Sequence, residues 1–293
     1  MLNNKKILFM ISKLMIFIVL SLPIKVQAMV IVSIKPIGFI AAAITDSIIP
    51  LDVILPNGAS PHNYSLHPSD FERIRKADLL IWIGPEMEYF MKKPVSQLSV
   101  KKTLSLEDLS SIQSLLIRDN HNGNYNLHLW LSPSIAQQIA IAIYNKLLLI
   151  IPTKKYQLKI NLIKFMDNLS KIDIKIRQRL LPIHGRGYFT FHDAYRYFEK
   201  YYGLSSLGYF TVNDEIQPGA KHLNQIRQKL IEKKAVCIFT EPQFQPAVVN
   251  TVIRGIKVRK SILDPLGMNL EINQSSYINF ISQLSIQYSK CLK

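Results

Sequence analysis

The chain has 293 residues, nearly half of them apolar, enough for two ordinary domains with cores of their own. Its formal charge of +16 comes from lysines scattered along the chain with no basic tail; nucleic-acid binders gather such charge into a patch, so nucleic acid is excluded as the expected partner. Ile, Asn and Lys are abundant together, the imprint of a nucleotide bias rather than of a basic function.

Residues 1–28 read "MLNNKKILFMISKLMIFIVLSLPIKVQA". Lys5 and Lys6 precede an apolar stretch that Lys13 interrupts, short for a membrane span of about 20 apolar residues. It ends in Val26-Gln27-Ala28, a small-x-small pattern, and is read as a secretory signal. No cysteine lies near the cut, so the mature chain is expected in the periplasm without a membrane anchor.

From Met29 onward strand, loop and helix repeat. "MVIVSIKP", "DVILP" and "LLIWIGP" are short β-branched runs ended by proline. Runs this apolar indicate strands buried on both faces, hence a parallel sheet covered by helices. Residues 110–126, "SSIQSLLIRDNHNGNYN", form the longest polar, turn-rich loop. "SPSIAQQIAIAIYNKLLLIIP" is a helix with Ser132 as N-cap, Pro133 in its first turn and Pro152 past its end. Over residues 153–181, Leu162, Phe165, Leu169, Ile172, Ile176 and Leu180 recur at steps of three or four, with Thr153 placed to cap the start. "GYFTF", "AVCIF" and "RKSIL" are further strands, separated by the helical segments "DAYRYFEKYYG" and "KHLNQIRQKLIEKK". The expected fold is therefore α/β. Two lobes, residues 29–152 and 182–293, each hold a mostly parallel sheet flanked by helices, and one long rigid helix, residues 153–181, joins them.

The chain has two cysteines, Cys237 in "AVCIF" and Cys291 in the last helix. There Tyr277, Phe280, Ile281, Leu284 and Tyr288 make an apolar stripe that Cys291 continues. In an exported protein such a pair is bridged or, alternatively, two buried thiols.

In open parallel sheets ligands collect at the carboxyl ends of strands. Four polar residues occupy such ends: His62 in "GASPHNYSLHPSD", His128 in "NLHLWLSP", His192 directly after "GYFTF", and Asp264 after "RKSIL". Each proposed lobe supplies two. Three imidazoles and a carboxylate on convergent loops suit a four-coordinate zinc ion, although any one of these histidines alone reads as a hydrogen-bonded loop or core residue. Glu241 is a candidate to orient a histidine from behind, and His121 in the polar loop an auxiliary donor. His67, His184 and His222 are read as solvated or structural, and Glu86 and Glu88 as surface or helix-start carboxylates.

"GASPHNYSLHPSD", "ADLLIWIGPEMEYFM", "LHLWLSPSIA", "YFTFHDAYRYFEK", "EIQPGA", "TEPQFQPAVV" and "LDPLG" follow one another in an order that resembles the motifs of the ZnuA-type periplasmic zinc-binding proteins. These are metal-binding solute-binding proteins of high-affinity zinc ABC importers. The resemblance spans most of the mature chain. It implies two α/β lobes on a rigid helix, zinc carried as cargo on His62, His128 and His192, and a disulfide between Cys237 and Cys291. It also implies a monomer that docks on a permease paired with an ATPase. Manganese-carrying relatives have a carboxylate where His192 stands, so His192 favours zinc. Two departures stand out: the loop before His128 is short, with His121 alone, and Pro61 stands where some members carry a glutamate before the first ligand. With no such glutamate, Asp264 is the expected fourth ligand or a close partner of the ligands, with water in that position as the alternative. Manganese or iron carriage, adhesion and zinc hydrolysis are the alternatives; no HExxH or nucleophile motif supports the last.

Overall fold

Proline and glycine set the limits of the first sheet. Val30–Val32 (β1) gives way to the helix Lys35–Thr45, which carries Pro36 in its first turn; Leu51–Val53 (β2) stops ahead of Pro56, and Leu79–Trp82 (β3) ahead of Gly84 and Pro85. The structure, a computed structural model, describes residues 28–46, 48–118, 123–211, 219–232, 235–243 and 247–293. The expected signal segment, Ala28 apart, and His121 lie outside the described residues. Thr103–Ser105 (β4) completes a four-stranded, wholly parallel sheet in the order β2-β1-β3-β4. Every residue of β1 and β3 is buried, as strands covered by helices on both faces must be.

The stretch read as a long polar loop carries structure of its own. Ser110–Gln113 is a helical turn, and Ile117–Arg118 (β5) pairs antiparallel with Tyr125–Asn126 (β6). The pin comes from the other lobe: the Tyr197 hydroxyl accepts from the Ile117 N–H at 3.0 Å and donates to the Asn126 carbonyl at 2.6 Å.

Tyr188–His192 (β7), Gly208–Thr211 (β8), Cys237–Thr240 (β9) and Arg259–Ile262 (β10) form a second all-parallel sheet in the order β10-β9-β7-β8. Counted within its own lobe, each sheet runs second, first, third, fourth. β2, from "DVILP", departs from the expectation of strands buried on both faces, being half-buried along its length at the edge of its sheet; β10 is exposed as well. It is an edge strand with Arg259 and Lys260 exposed and Ile262 51% exposed, and charge on an edge discourages pairing with another chain.

The connecting helix runs Lys155–Leu180, 26 residues, about 39 Å at 1.5 Å per residue. Tight turns Pro152–Lys154 and Leu181–Ile183 flank it. Lys154 rather than Thr153 occupies the N-cap, and no side chain caps it. Phe165, Leu169, Ile176 and Leu180 of the expected stripe are buried. Ahead of this helix, Pro133–Ile150 starts as expected, with Ser132 Oγ accepting from the Ile135 N–H.

The two lobes do not keep separate interiors. The helix Lys35–Thr45 is buried along its length from Pro36, and a helix apolar all round belongs inside a core. It lies against Pro133–Ile150, Lys155–Leu180 and the last helix, Ser276–Leu292. Phe39 meets Phe280 with ring centroids 5.8 Å apart, and Phe165 meets Tyr277 at 5.8 Å. One apolar cluster therefore runs from Val30 in the first sheet to Leu292 at the end of the chain. Cys237 and Cys291 are joined by a disulfide, Cα to Cα 5.9 Å, tying the amino end of β9 to the last helix; the alternative of two buried thiols falls away.

Glu88 stands at a helix start, as the N-cap of the tight turn Tyr89–Met91, but its reading as a surface carboxylate is corrected. Glu86 is exposed, but Glu88 is 0% exposed, and its Oε2 accepts from the Ile83 N–H at 2.7 Å. Burial, chiefly, pushes its pKa from 4.5 up to about 7. Between about 4.5 and 7 the folded state keeps a proton that the unfolded state has released, so stability is fully present below 4.5, falls as pH rises, and is flat above 7. The loss is on the order of 3 kcal/mol. Glu88→Gln, which carries no charge at either pH, is expected to gain roughly 6–12 °C in melting temperature over the parent on going from pH 5 to pH 8. A parent-to-variant difference that stays constant across that range would refute the buried titration.

Candidate metal centre

Three of the strand-end residues meet. His62 sits on the turn after β2, where its backbone N–H donates to Ser60 Oγ at 3.2 Å. His128 precedes the tight turn Leu129–Leu131, and His192 is the last residue of β7. Their ring centroids are 5.1 to 6.0 Å apart. One ligand nitrogen from each lies within 4.8 Å of the others, a spacing that could hold a metal ion. His128 and His192 are buried, and His62 is half-buried.

The partners behind the rings dictate which nitrogens face inward. His128 Nδ1 is 2.9 Å from Asn126 Oδ1, which also accepts from the His128 backbone N–H. The Asn126 amide donates to the Asp193 carbonyl, and this fixes its own orientation. His192 Nδ1 is 2.6 Å from Glu241 Oε1. An oxygen acceptor on Nδ1 puts the proton there in each ring and leaves Nε2 with a lone pair. Those two Nε2 atoms are 3.2 Å apart. Two lone pairs at that distance repel unless a cation or a proton lies between them. Protonation is opposed at His128, whose pKa is held well below 6.5 by burial first and by charge on His192 and His62 next. A metal cation suits this geometry best.

β7 and β9 are neighbours at the point where the strand order of their sheet reverses, the position at which parallel sheets gather ligands. His192 ends the first and Glu241 follows the second. Both side chains are buried, and the Glu241 carboxyl group lies directly behind the trio.

Asp264 is not brought into this cluster. Its Oδ1 accepts from the backbone N–H groups of Leu266 and Gly267 at 3.0 and 2.9 Å, and its Oδ2 from Met268 at 2.7 Å. A carboxylate at a strand end followed by Pro265 and Gly267 is as well placed to fold the next turn as to reach an ion, and here it folds the turn. Gly267 is required in that turn: its φ is +64°, and a Cβ there would lie 2.7 Å from the Phe39 ring. The turn is also a bridge between lobes. Lys35 Nζ donates to the Met268 carbonyl at 2.7 Å, and the Trp130 indole donates to the Pro265 carbonyl at 2.7 Å.

The other histidines among the described residues stand apart from the trio. His67 is the N-cap of the helix Pro68–Lys76, in a capping box with Asp70; His184 and His222 are exposed. Asn126 and Gln243 were missed. Asn126 sits in a stretch rich in asparagine, and nothing local marks it. Gln243 carried one signal, its place two residues beyond Glu241 in the turn that leaves β9.

The cavity at the trio is lined by His62, His128, His192, Trp130, Glu241 and Gln243, with Pro61 and Leu266 at its sides. Its volume is about 20 Å³, room for one water-sized particle. A larger groove of about 860 Å³, lined by Arg227, Val236, Lys257 and Arg259 among others, lies at the amino ends of β9 and β10. That is the end of a parallel sheet away from its ligand loops.

A family model described as "ZnuA: Zinc-uptake complex component A periplasmic" matches residues 30–291. The high-affinity zinc uptake system protein ZnuA of Yersinia pestis is 50% identical over 292 residues, 91% of this chain and 92% of that protein. Among solved structures, a crystal structure of ZnuA superposes with a TM-score of 0.79 at 21% identity, over 91% of this chain and 100% of that one. A mutant form of the laminin-binding adhesin Lmb of Streptococcus agalactiae does so with a TM-score of 0.79 at 20% identity, over 91% and 100%. At such identities the two structures speak for the two-lobed α/β fold alone.

Proposed function

The chain belongs to the ZnuA family of periplasmic zinc-uptake components, and from that premise we propose that it captures one zinc ion on His62, His128 and His192 and delivers it to the permease of an ATP-driven importer. The observation that carries the reading is the 3.2 Å approach of two imidazole Nε2 atoms whose Nδ1 partners turn their lone pairs toward each other. Three neutral nitrogens suit zinc better than an ion that prefers oxygen. Glu241, rather than Asp264, supplies the compensating charge, from behind His192.

Export to the periplasm is supported by the signal-like residues 1–28 and by the disulfide, which belongs to an oxidising compartment. No helix among the described residues is long and apolar enough to cross a membrane. Against hydrolysis stand the small cavity at the trio, about 20 Å³, and a sequence with no HExxH or nucleophile motif. The likeness to a laminin-binding adhesin is one of fold and lends adhesion no residue of its own.

Metal analysis of the mature protein, purified without an affinity tag and then titrated with zinc and with manganese, tests the proposal. One zinc per chain is expected, held more tightly than manganese by at least about a hundredfold, as three nitrogen donors favour. Equal affinity for the two ions would replace zinc carriage with the manganese reading.

A further inference from the structure

Gln243 lines the same small cavity as the three histidines. Its Oε1 and Nε2 are both buried, and neither has a hydrogen-bond partner among the described residues. Buried amide groups are nearly always paired, and an exception calls for a reason such as an ion. The carboxylates nearby are engaged: Glu241 Oε1 lies against His192 Nδ1, and Asp264 accepts from three backbone N–H groups. The trio offers three of the four donors that a tetrahedral zinc takes. Ser60 Oγ, also at the cavity, accepts from the His62 backbone N–H, which leaves Gln243 as the polar side chain there whose oxygen has no partner among the described residues.

We propose that the Gln243 side-chain oxygen is the fourth contact of the bound ion. This rests on the reading of the trio as a zinc site and adds the residue that completes it. A neutral amide oxygen is a weaker zinc donor than an imidazole or a carboxylate. It closes the coordination sphere without adding charge and is the first contact to break when the ion leaves. Gln243 follows Glu241 by two residues, so one turn beyond β9 both orients His192 and covers the ion. Pro61, on the opposite lobe, carries no donor and leaves that contact to Gln243.

The test uses the mature protein loaded with cobalt(II), whose visible bands report its ligands, and with zinc, chased by an excess of chelator. Gln243→Ala is expected to change the shape and intensity of the cobalt bands and to speed zinc release about tenfold, the lower end of what loss of an auxiliary contact costs. Gln243→Glu is expected to slow release below the parent rate. The metal-free melting temperature of Gln243→Ala should not fall, because the amide has no hydrogen-bond partner among the described residues to lose. Unchanged cobalt bands with unchanged release in Gln243→Ala would overturn the proposal, as would a marked loss of metal-free stability, which would make the residue structural. A parent protein that takes up neither cobalt nor zinc would overturn the reading of the trio instead.

Discussion

Replacing His128 by alanine lowers zinc affinity by a few hundredfold or more. The estimate divides the roughly 10–16 kcal/mol of apparent binding at four-ligand zinc sites among their ligands, about 3–4 kcal/mol each. His192→Ala should cost at least as much, since it also strands the Glu241 carboxylate in a buried pocket. His62→Ala should cost less, because its ring is half-buried and the cavity can admit water in its place. Glu241→Gln, which keeps the shape but removes the charge behind His192, should weaken zinc about 10–100-fold. Isothermal titration, or competition against a chromophoric chelator, measures all four. Two of the three alanine variants binding as the parent does would sink the assignment of the site.

Reduction of the Cys237–Cys291 disulfide produces the largest loss of stability and almost no loss of zinc. The bond spans a sequence separation of 54, for which the chain-entropy model gives about 4 kcal/mol, or roughly 8–16 °C in melting temperature at this chain length. Cys237 begins β9, whereas Glu241 lies just past its other end, about 13 Å away along an extended strand. β9 is paired on both sides, with β7 and β10, so its carboxyl end stays in register when the far end is released. A double serine variant and the reduced parent should therefore melt alike and bind zinc within about threefold of the oxidised protein, an allowance of less than 1 kcal/mol. Free thiols on both cysteines in protein taken from the periplasm would contradict the bridge.

The histidine positions could be found in the sequence because the strands around them are short, apolar and cut off by proline or glycine, so the residue at each carboxyl end is easy to name. That reasoning finds positions and is silent about what each side chain does there. Asp264 and Glu241 occupy equivalent strand ends, yet one folds a turn and the other holds a histidine. The difference lies in whether three backbone N–H groups come round to meet the carboxylate, which depends on how Gly267 lets the chain pass Phe39. Asn126 was hidden for a related reason, being an ordinary polar residue that acquires a role from a contact distant in sequence, with the Asp193 carbonyl. Gly208–Thr211 (β8) carries the same four residues as the start of "GYFTF", but it is followed by Val212 and the polar run Asn213-Asp214-Glu215 and so does not stand out as a strand. The shared interior was also invisible, because an apolar stripe on the last helix says that it is buried and not which lobe buries it.

The small volume at the three histidines has a consequence for ions that never bind. A divalent cation reaches the protein dressed in water, and a space of about 20 Å³ cannot take it in that dress. Each imidazole nitrogen must displace a water as the ion descends, so passage depends on how readily the hydration shell comes apart. Magnesium gives up its waters reluctantly, and calcium asks for about six to eight oxygens around it. Both carry the same charge as zinc, so a site that selected by charge would be swamped by them. With three nitrogens and room for one particle, the site offers magnesium no replacement for the waters it holds and calcium too few oxygens.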